Sequence, residues 1–481
     1  MRIEQKAARS GLWYAGLSVF SQVFSWLFTM FIARLLRPED YGLMTMASFL
    51  TAYMEVFSEL GLGSAIVQKK EITQEELSSV FWFSIMVGVF FCACCFPLAY
   101  PTAWIFKDRR IIPVTFMISS LFIIGSAMTV PFNMLRKDFG FKQIGIINIA
   151  SMVSSNLLMV ALAMAGCGVY TLISGVILFR VTKVSLMFFA ARWKPSFHFT
   201  FRETKPFLRF GINVAGSGSL IRVFESLDKF IVGRLFNARL LGFYGFAMSL
   251  ASMPTDKIWP IFNQILFPLL SRYQDDSARC NEVFLKILKL FSFVIIPLYA
   301  MGIFFGKEIL LTIVGAKWEM AIPFFKAFCV AKLFDSMNEF ANLLHTSKGH
   351  PQRVLVLAII KTITMPLCIL FAALHSFASL TIPWAIVFPG LCIGWMIYTF
   401  EITKIKPMTF LKSVSGPCAV TLLMVCGIYG TRLAMIAGFG FSLSETQLFI
   451  QAVATGLVLF CGYVFLLDRK LIIETIRIFR S

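Results

Sequence analysis

Charged side chains sit inside stretches of this sequence that are otherwise apolar, and several fall at helical spacing. Glu55 and Glu59 are four apart and share one helix face. Arg222, Glu225, Asp228 and Lys229 form a second group, in which Arg222–Glu225 and Glu225–Lys229 have ion-pair spacing. Asp256 and Lys257 adjoin. Lys326, Lys332, Asp335 and Glu339 form a fourth group, the last three on one stripe, and Lys361 lies in a further stretch. A charge at the centre of a bilayer costs roughly 2.5–3.5 kcal/mol on insertion scales, so it faces a partner or a wet cavity. Cations there could replace the hydration of a phosphate-class anion, with Arg the better fork. Carboxylates could take up coupling protons or cations, or neutralise those cations. Asp256, Lys257 and Lys326 have an alternative, since a charge within a turn of the interface snorkels to water.

The elements that must position these groups follow from composition. Hydrophobic residues make up 58% of the 481, charged residues 14%, and the mean hydropathy is +0.79. Soluble domains carry about 25% charged residues, so no water-facing surface can be built from so few. Stretches of about 20 apolar residues, each enough to cross a hydrocarbon core, recur along the whole chain. Breaks at charged or Pro/Gly-rich segments predict about fourteen membrane-spanning helices, with twelve or thirteen as the alternative. The predicted spans are 12–33, 43–66, 78–100, 111–132, 144–165, 168–190, 208–234, 240–266, 283–306, 320–343, 352–374, 377–398, 412–436 and 447–467. The basic N-terminus, Met1 to Lys6, leads straight into the first span, which predicts a retained helix rather than a signal peptide.

Loop charges orient the chain. With the N-terminus inside, the cytoplasmic connections and both termini hold Lys69-Lys70, Arg136-Lys137-Lys142, the group Arg192, Lys194, Arg202, Lys205 and Arg209, and further clusters to Arg480. That side takes the clear majority of the 44 Lys and Arg, which predicts both termini in the cytoplasm and an even number of spans. The net charge of +19 is thereby a topology signal, with no nucleic-acid partner implied.

A weak internal repeat appears at an offset of 200 residues. Val23, Phe24 and Leu27 meet Val223, Phe224 and Leu227. Arg34-Leu35 meets Arg234-Leu235, and Gly42, Ala47 and Leu50 meet Gly242, Ala247 and Leu250. Six predicted helices separate the copies, so both have the same orientation. A parallel repeat of this kind predicts an all-α polytopic membrane protein with two six-helix lobes, 1–200 and 201–400, around a central cavity. Residues 401–481 then supply two additional helices.

Enzyme chemistry finds no support in the residues. The four histidines are scattered, and no GxSxG, HExxH or ATP-binding motif is present. The eleven cysteines lie mostly in apolar spans, without CxxC pairs or His partners at zinc spacing, and predict free thiols and no metal or cofactor.

Several segments carry a resemblance. Arg34-Leu35-Leu36-Arg37-Pro38-Glu39-Asp40-Tyr41-Gly42-Leu43 resembles a turn of the polysaccharide transporters of the multidrug/oligosaccharidyl-lipid/polysaccharide exporter superfamily. The run Leu60 to Lys70, Ser79-Val80-Phe81-Trp82, Leu227 to Arg234, Leu266 to Asp276 and Gly315-Ala316-Lys317-Trp318 resemble its colanic-acid and teichuronic-acid exporter branch. The likeness runs from about residue 8 to about 345. It implies a bacterial inner-membrane flippase for undecaprenyl-diphosphate-linked saccharide units, working by ion-coupled alternating access without ATP. Membrane lipids, a polysaccharide polymerase and glycosyltransferases are the implied partners. Lys229 stands where the family leads one to expect a small polar residue, and the first helix lacks the buried arginines of the related lipid II flippases.

On this reading Arg222, Lys229, Lys332 and Lys361 are the expected contacts of a diphosphate or acidic sugar. Glu55, Glu59, Glu225, Asp228, Asp335 and Glu339 are the expected coupling or pairing carboxylates. An exporter of drugs or small cations from the same superfamily is the alternative, and a scaffold for glycosyltransferases a third.

Overall fold

In lipid each backbone N–H and C=O needs a partner within its own segment, which leaves the helix as the form open to long apolar runs. A computed structural model describes residues 24–58, 61–69, 71–208, 227–272, 276–439 and 444–467, and these are helical with no strand among them. The helices are α1 (Phe24–Leu35), α2 (Pro38–Ser58), α3 (Leu62–Gln68), α4 (Gln74–Phe106), α5 (Ile111–Lys137), α6 (Phe141–Met164) and α7 (Val169–Ala191). A short α8 occupies 201–208. Then come α9 (Leu227–Leu235), α10 (Ala238–Arg272), α11 (Ser277–Ile313), α12 (Ile322–Ser347), α13 (Pro351–His375), α14 (Phe388–Thr403), α15 (Pro407–Phe439) and α16 (Glu445–Leu467).

Among the described residues, nine helices are long and apolar enough to cross a membrane. The long helices that miss this standard are α2, α10 and α12, and they are the ones that carry Glu55, the Asp256–Lys257 pair, and the Lys332–Asp335–Glu339 stripe. Most of the others turn an apolar face outward, whereas α11 is largely enclosed. Along α13, Leu355, Ile359, Ile363, Leu367, Leu370 and Leu374 are all exposed, as lipid-facing side chains are.

Backbone contacts divide the chain into two compact units, Met1–Gly245 and Phe246–Ser481. In the first, α4 packs on α5, α5 on α7, and α6 on α7, with α2 and α3 laid against α5. Leu62, Ile66, Val80, Phe81, Val130, Trp193 and Phe207 belong to one of its buried clusters. In the second unit α11 packs on α12 and α15, and α15 on α16. Proline and a non-helical residue bend α11, at Pro297 and Phe305. The buried Glu308 of α11 accepts from Arg432 of α15 at 2.6 Å.

The repeat offset reappears in the backbone. α1 ends at Leu35, residues 36–37 break the helix, and α2 starts at Pro38; α9 ends at Leu235, residues 236–237 break it, and α10 starts at Ala238. The closing hydrogen bonds match, Leu36 N to Ile32 O at 2.9 Å and Phe236 N to Val232 O at 3.0 Å. A Cβ on Gly42 would collide with the carbonyl oxygen of Ala238, and one on Gly242 with that of Pro38. Both helix starts lie in the first unit, and only glycine lets the backbones come this close.

The chain following α7 is fastened to the start of α4. Thr73 and Glu76 form a capping box there. Gln74 donates to Lys194 O at 2.7 Å and accepts from the Trp193 indole at 2.7 Å, while Trp82 donates to Ser196 O at 2.8 Å. Glu203 accepts from the Ser79 hydroxyl at 2.6 Å and lies 3.1 Å from His198 Nε2. These hydrogen bonds, Ser79 first and His198 second, hold the Glu203 carboxyl below the usual range.

Candidate functional site

The second unit gathers charges that sequence spacing places on one stripe. α12 is held at its start by Trp318 and Phe324, both buried, and presents Lys332, Asp335 and Glu339 along one side. Lys332 Nζ lies 3.3 Å from Asp335 Oδ2. Lys361 reaches across from α13 to within 3.1 Å of Asp335 Oδ1, and its Nζ stands 4.6 Å from the centre of the Phe388 ring. One carboxylate therefore bridges two ammonium groups from two helices, each side chain no more than 23% exposed. Glu339 and Asp256 are near enough to act on Lys332 electrostatically. Ser336, between the charges, donates to Lys332 O at 2.6 Å and contacts Thr255 of α10 at 2.9 Å, which in turn contacts Tyr299 of α11. Four helices are thus tied at the level of this cluster. A buried amide, Asn338, has neither side-chain atom partnered within the described residues.

In the first unit, Asp228 of α9 is 7% exposed. Tyr244 donates to its Oδ2 at 3.0 Å, and its Oδ1 has no partner within the described residues. Lys229, the next residue, is half-buried beside it. Arg222, Glu225 and Glu59 lie outside the described residues, as does the side chain of Glu55. The structure thus brings together Lys332, Asp335, Glu339 and Lys361, with Asp228 and Lys229 a separate pair in the other unit.

Sequence reasoning passed over a cavity in the first unit. It has a volume of about 430 Å³ and is lined from α2, α5 and α7, with Gly61 and Gly63 at its edge. Arg136 and Arg180 are its charged residues, and no carboxylate lines it among the described residues. Arg136 Nη1 lies 3.5 Å from Asn133 Oδ1. Gly125 makes room for Arg180, whose Nη1 would stand 3.2 Å from a Cβ at that position. Arg136 reads as a loop cation at the end of its span. Arg180 has Lys183 three residues on but no carboxylate at helical spacing, so the signal that exposes it is the enclosure formed by three helices. Another pair escaped notice for a similar reason: Glu308 and Arg432 are 124 residues apart. No group of metal-ligating residues occurs among the described residues, and the eleven cysteines are free, three of them exposed.

Residues 31–323 match a family described as "Polysaccharide biosynthesis protein". The chain belongs to that family. A Klebsiella pneumoniae protein described as an uncharacterized membrane protein in the cps region is 24% identical, covering 100% of this chain and 99% of the relative. The Escherichia coli lipopolysaccharide biosynthesis protein WzxC is 23% identical over 72% of this chain and 70% of its own length. The Bacillus subtilis teichuronic acid biosynthesis protein TuaB is 24% identical over 84% and 82%. Among solved structures, the lipid II flippase MurJ in an inward closed conformation superimposes with a TM-score of 0.71 at 15% identity, covering 95% of this chain and 99% of MurJ. A MATE-family multidrug transporter in its inward-facing conformation does so at 0.61 and 12% identity, over 81% and 98%. These likenesses show the fold: this polysaccharide biosynthesis protein is an all-α, multi-pass membrane protein with the architecture those structures share.

Proposed function

We propose that this protein is a flippase that moves undecaprenyl-diphosphate-linked saccharide repeat units from the cytoplasmic to the periplasmic leaflet of a bacterial inner membrane, for surface polysaccharide. Membership of the polysaccharide biosynthesis family is the observation that carries the reading. The buried cluster on Asp335 supports it, because charges in a membrane persist where they serve a polar passenger or its coupling. In this arrangement Asp335 pairs with both Lys332 and Lys361. An anionic passenger, or protonation of Asp335, would release one of those lysines, which is a route from substrate or proton to movement of α12 against α13. Asp228, with one oxygen partnered by Tyr244, is a second carboxylate for coupling, and Lys229 beside it completes the pair. Arg222, Glu55, Glu59, Glu225 and Glu339 keep the roles expected of them above, with both termini in the cytoplasm. The polymerase and glycosyltransferases of the same polymer are the proposed protein partners.

The test is to inactivate the gene and quantify undecaprenyl-diphosphate-linked oligosaccharide in extracted membranes together with surface polysaccharide, under inducing growth. Accumulated lipid-linked units with lost polymer are the expected result. Unchanged pools and unchanged polymer in a strain without a second flippase would remove the reading and put export of drugs or small cations in its place.

A further inference from the structure

We infer that residues 192–206, the strip that follows α7, form a docking surface for the anionic phospholipid of the surrounding bilayer, whatever passenger the protein carries. The strip is inside out by the standard of a loop that faces water. Its polar residues turn inward. Ser196 Oγ lies 2.9 Å from Ser78 Oγ, His198 Nε2 lies 3.1 Å from Glu203, and Thr200 N donates to Ser79 Oγ at 3.1 Å. The alternate residues turn out: Phe197, Phe199 and Phe201 are 99%, 44% and 56% exposed. Apolar residues on a water-facing surface are scattered singly, and three rings within five residues mark a site of contact with something apolar. The hydrogen bonds that hold the polar set on α4 are also what keeps these rings from folding inward.

The place of the strip in the fold identifies the neighbour. It begins where α7 ends, at Ala191, and is tied to the first turns of α4 through Gln74, Ser78, Ser79 and Trp82. Both helices are long and apolar enough to cross a membrane, so the strip lies at the level where hydrocarbon gives way to headgroups. Phe189, in the last turn of α7, is 83% exposed and marks acyl chains within a turn of it. Apolar rings beside basic residues are the make-up of segments that lie in this interface. Charge selects the lipid. Arg192, Lys194, Arg202 and Lys205 are all exposed, while the one carboxylate of the strip, Glu203, is engaged by Ser79 and His198. Near an anionic surface each such cation favours docking about fivefold, a gain that a zwitterionic surface does not offer. A soluble protein would approach from the water above this level and leave the rings at the hydrocarbon boundary to lipid.

The experiment places the purified full-length protein in nanodiscs of phosphatidylcholine alone, or of phosphatidylcholine with phosphatidylglycerol. Hydrogen exchange at the amides of 192–206 and the melting temperature are then compared. Slower exchange and a higher melting temperature are expected with phosphatidylglycerol, and high salt should remove both differences. The combined variant Arg192→Gln, Lys194→Gln, Arg202→Gln and Lys205→Gln should lose the response to phosphatidylglycerol and keep the wild-type exchange in phosphatidylcholine. If that variant loses its melting transition, Lys194→Gln with Lys205→Gln carries the test and should remove about half the difference. Phe197→Ser with Phe199→Ser should speed exchange of the strip in discs of either composition. Equal behaviour of wild type in the two discs overturns the proposal, and so does a phosphatidylglycerol response that survives the loss of all four cations, since the lipid then acts elsewhere. Unchanged exchange in the phenylalanine variant would put the strip in water, as for a surface that awaits a soluble protein, and would overturn the proposal too.

Discussion

Gly42 and Gly242 are reciprocal: each lies against the backbone that begins the other's helix, Gly42 on Ala238 and Gly242 on Pro38. The obstacle at each position is a carbonyl oxygen of fixed backbone, so a new methyl group has nothing flexible to displace. Gly42→Ala and Gly242→Ala should each destabilise the fold by about 1–3 kcal/mol, the usual cost of overpacking. The double variant should cost less than the sum, because the first forced separation makes room for the second. Thermal melting of the purified protein checks both statements, and two additive losses would mean that the contacts are independent.

Asp335 holds two ammonium groups together, and its loss should therefore cost more than the loss of either lysine. Asp335→Ala leaves two like charges within a membrane-spanning region without the carboxylate that contacts both. The expected loss is about 3–5 kcal/mol, as for other broken buried pairs, seen as reduced membrane abundance and melting temperature. Replacing Lys332, Asp335 and Lys361 together by apolar residues should restore abundance while export stays lost. Restored export in the triple variant would remove these residues from the mechanism.

Glu308 and Arg432 join α11 to α15 through a pair of which the acid is buried. Arg432→Leu should destabilise by about 3–5 kcal/mol by stranding the carboxylate. Glu308→Leu with Arg432→Leu should recover most of that loss, since an apolar pair suits this site. A double-mutant cycle on melting temperature measures the coupling, and a double variant as weak as Arg432→Leu alone would show that the charge pair itself is needed.

The clasp around Glu203 gives a pH dependence of known sign. Its carboxyl is held low by Ser79 and His198, so the folded value lies below the unfolded one. The stabilisation is complete above the ordinary glutamate range and is lost as the pH falls through the depressed folded value. Hydrogen exchange at the amides of 196–204 should accelerate on acidification below that range in wild type. In Glu203→Gln the acid-dependent part should vanish, and its persistence would place the titrating group elsewhere. Thr200 N, which donates to Ser79 Oγ at 3.1 Å, is the amide to watch.

The sequence made the membrane, the helical class and the stripe Lys332–Asp335–Glu339 legible, because hydropathy and helical spacing are local quantities. It also pointed to the repeat, through Arg34-Leu35 and Gly42 matched by Arg234-Leu235 and Gly242. Lys361 could be named as an intramembrane charge, but not as the partner of Asp335, since the two are 26 residues apart on different helices. The cavity around Arg136 and Arg180 was invisible for the same reason: enclosure is a property of three helices packed together. The clasp on α4 joins residues 114 to 124 apart, and no periodicity reports it.

The two helix starts that meet at Gly42 and Gly242 are capped in opposite senses. Asp40 reaches back to accept from Arg37 N at 2.9 Å, whereas Asn237 reaches forward to accept from Leu240 N at 2.9 Å. Each is one half of a capping box, and the residues at matched positions differ. If the halves descend from a duplicated ancestor, inheritance has kept the bend and let the side chains that make it drift, so kinship between the halves is better sought by superposing backbones than by aligning letters.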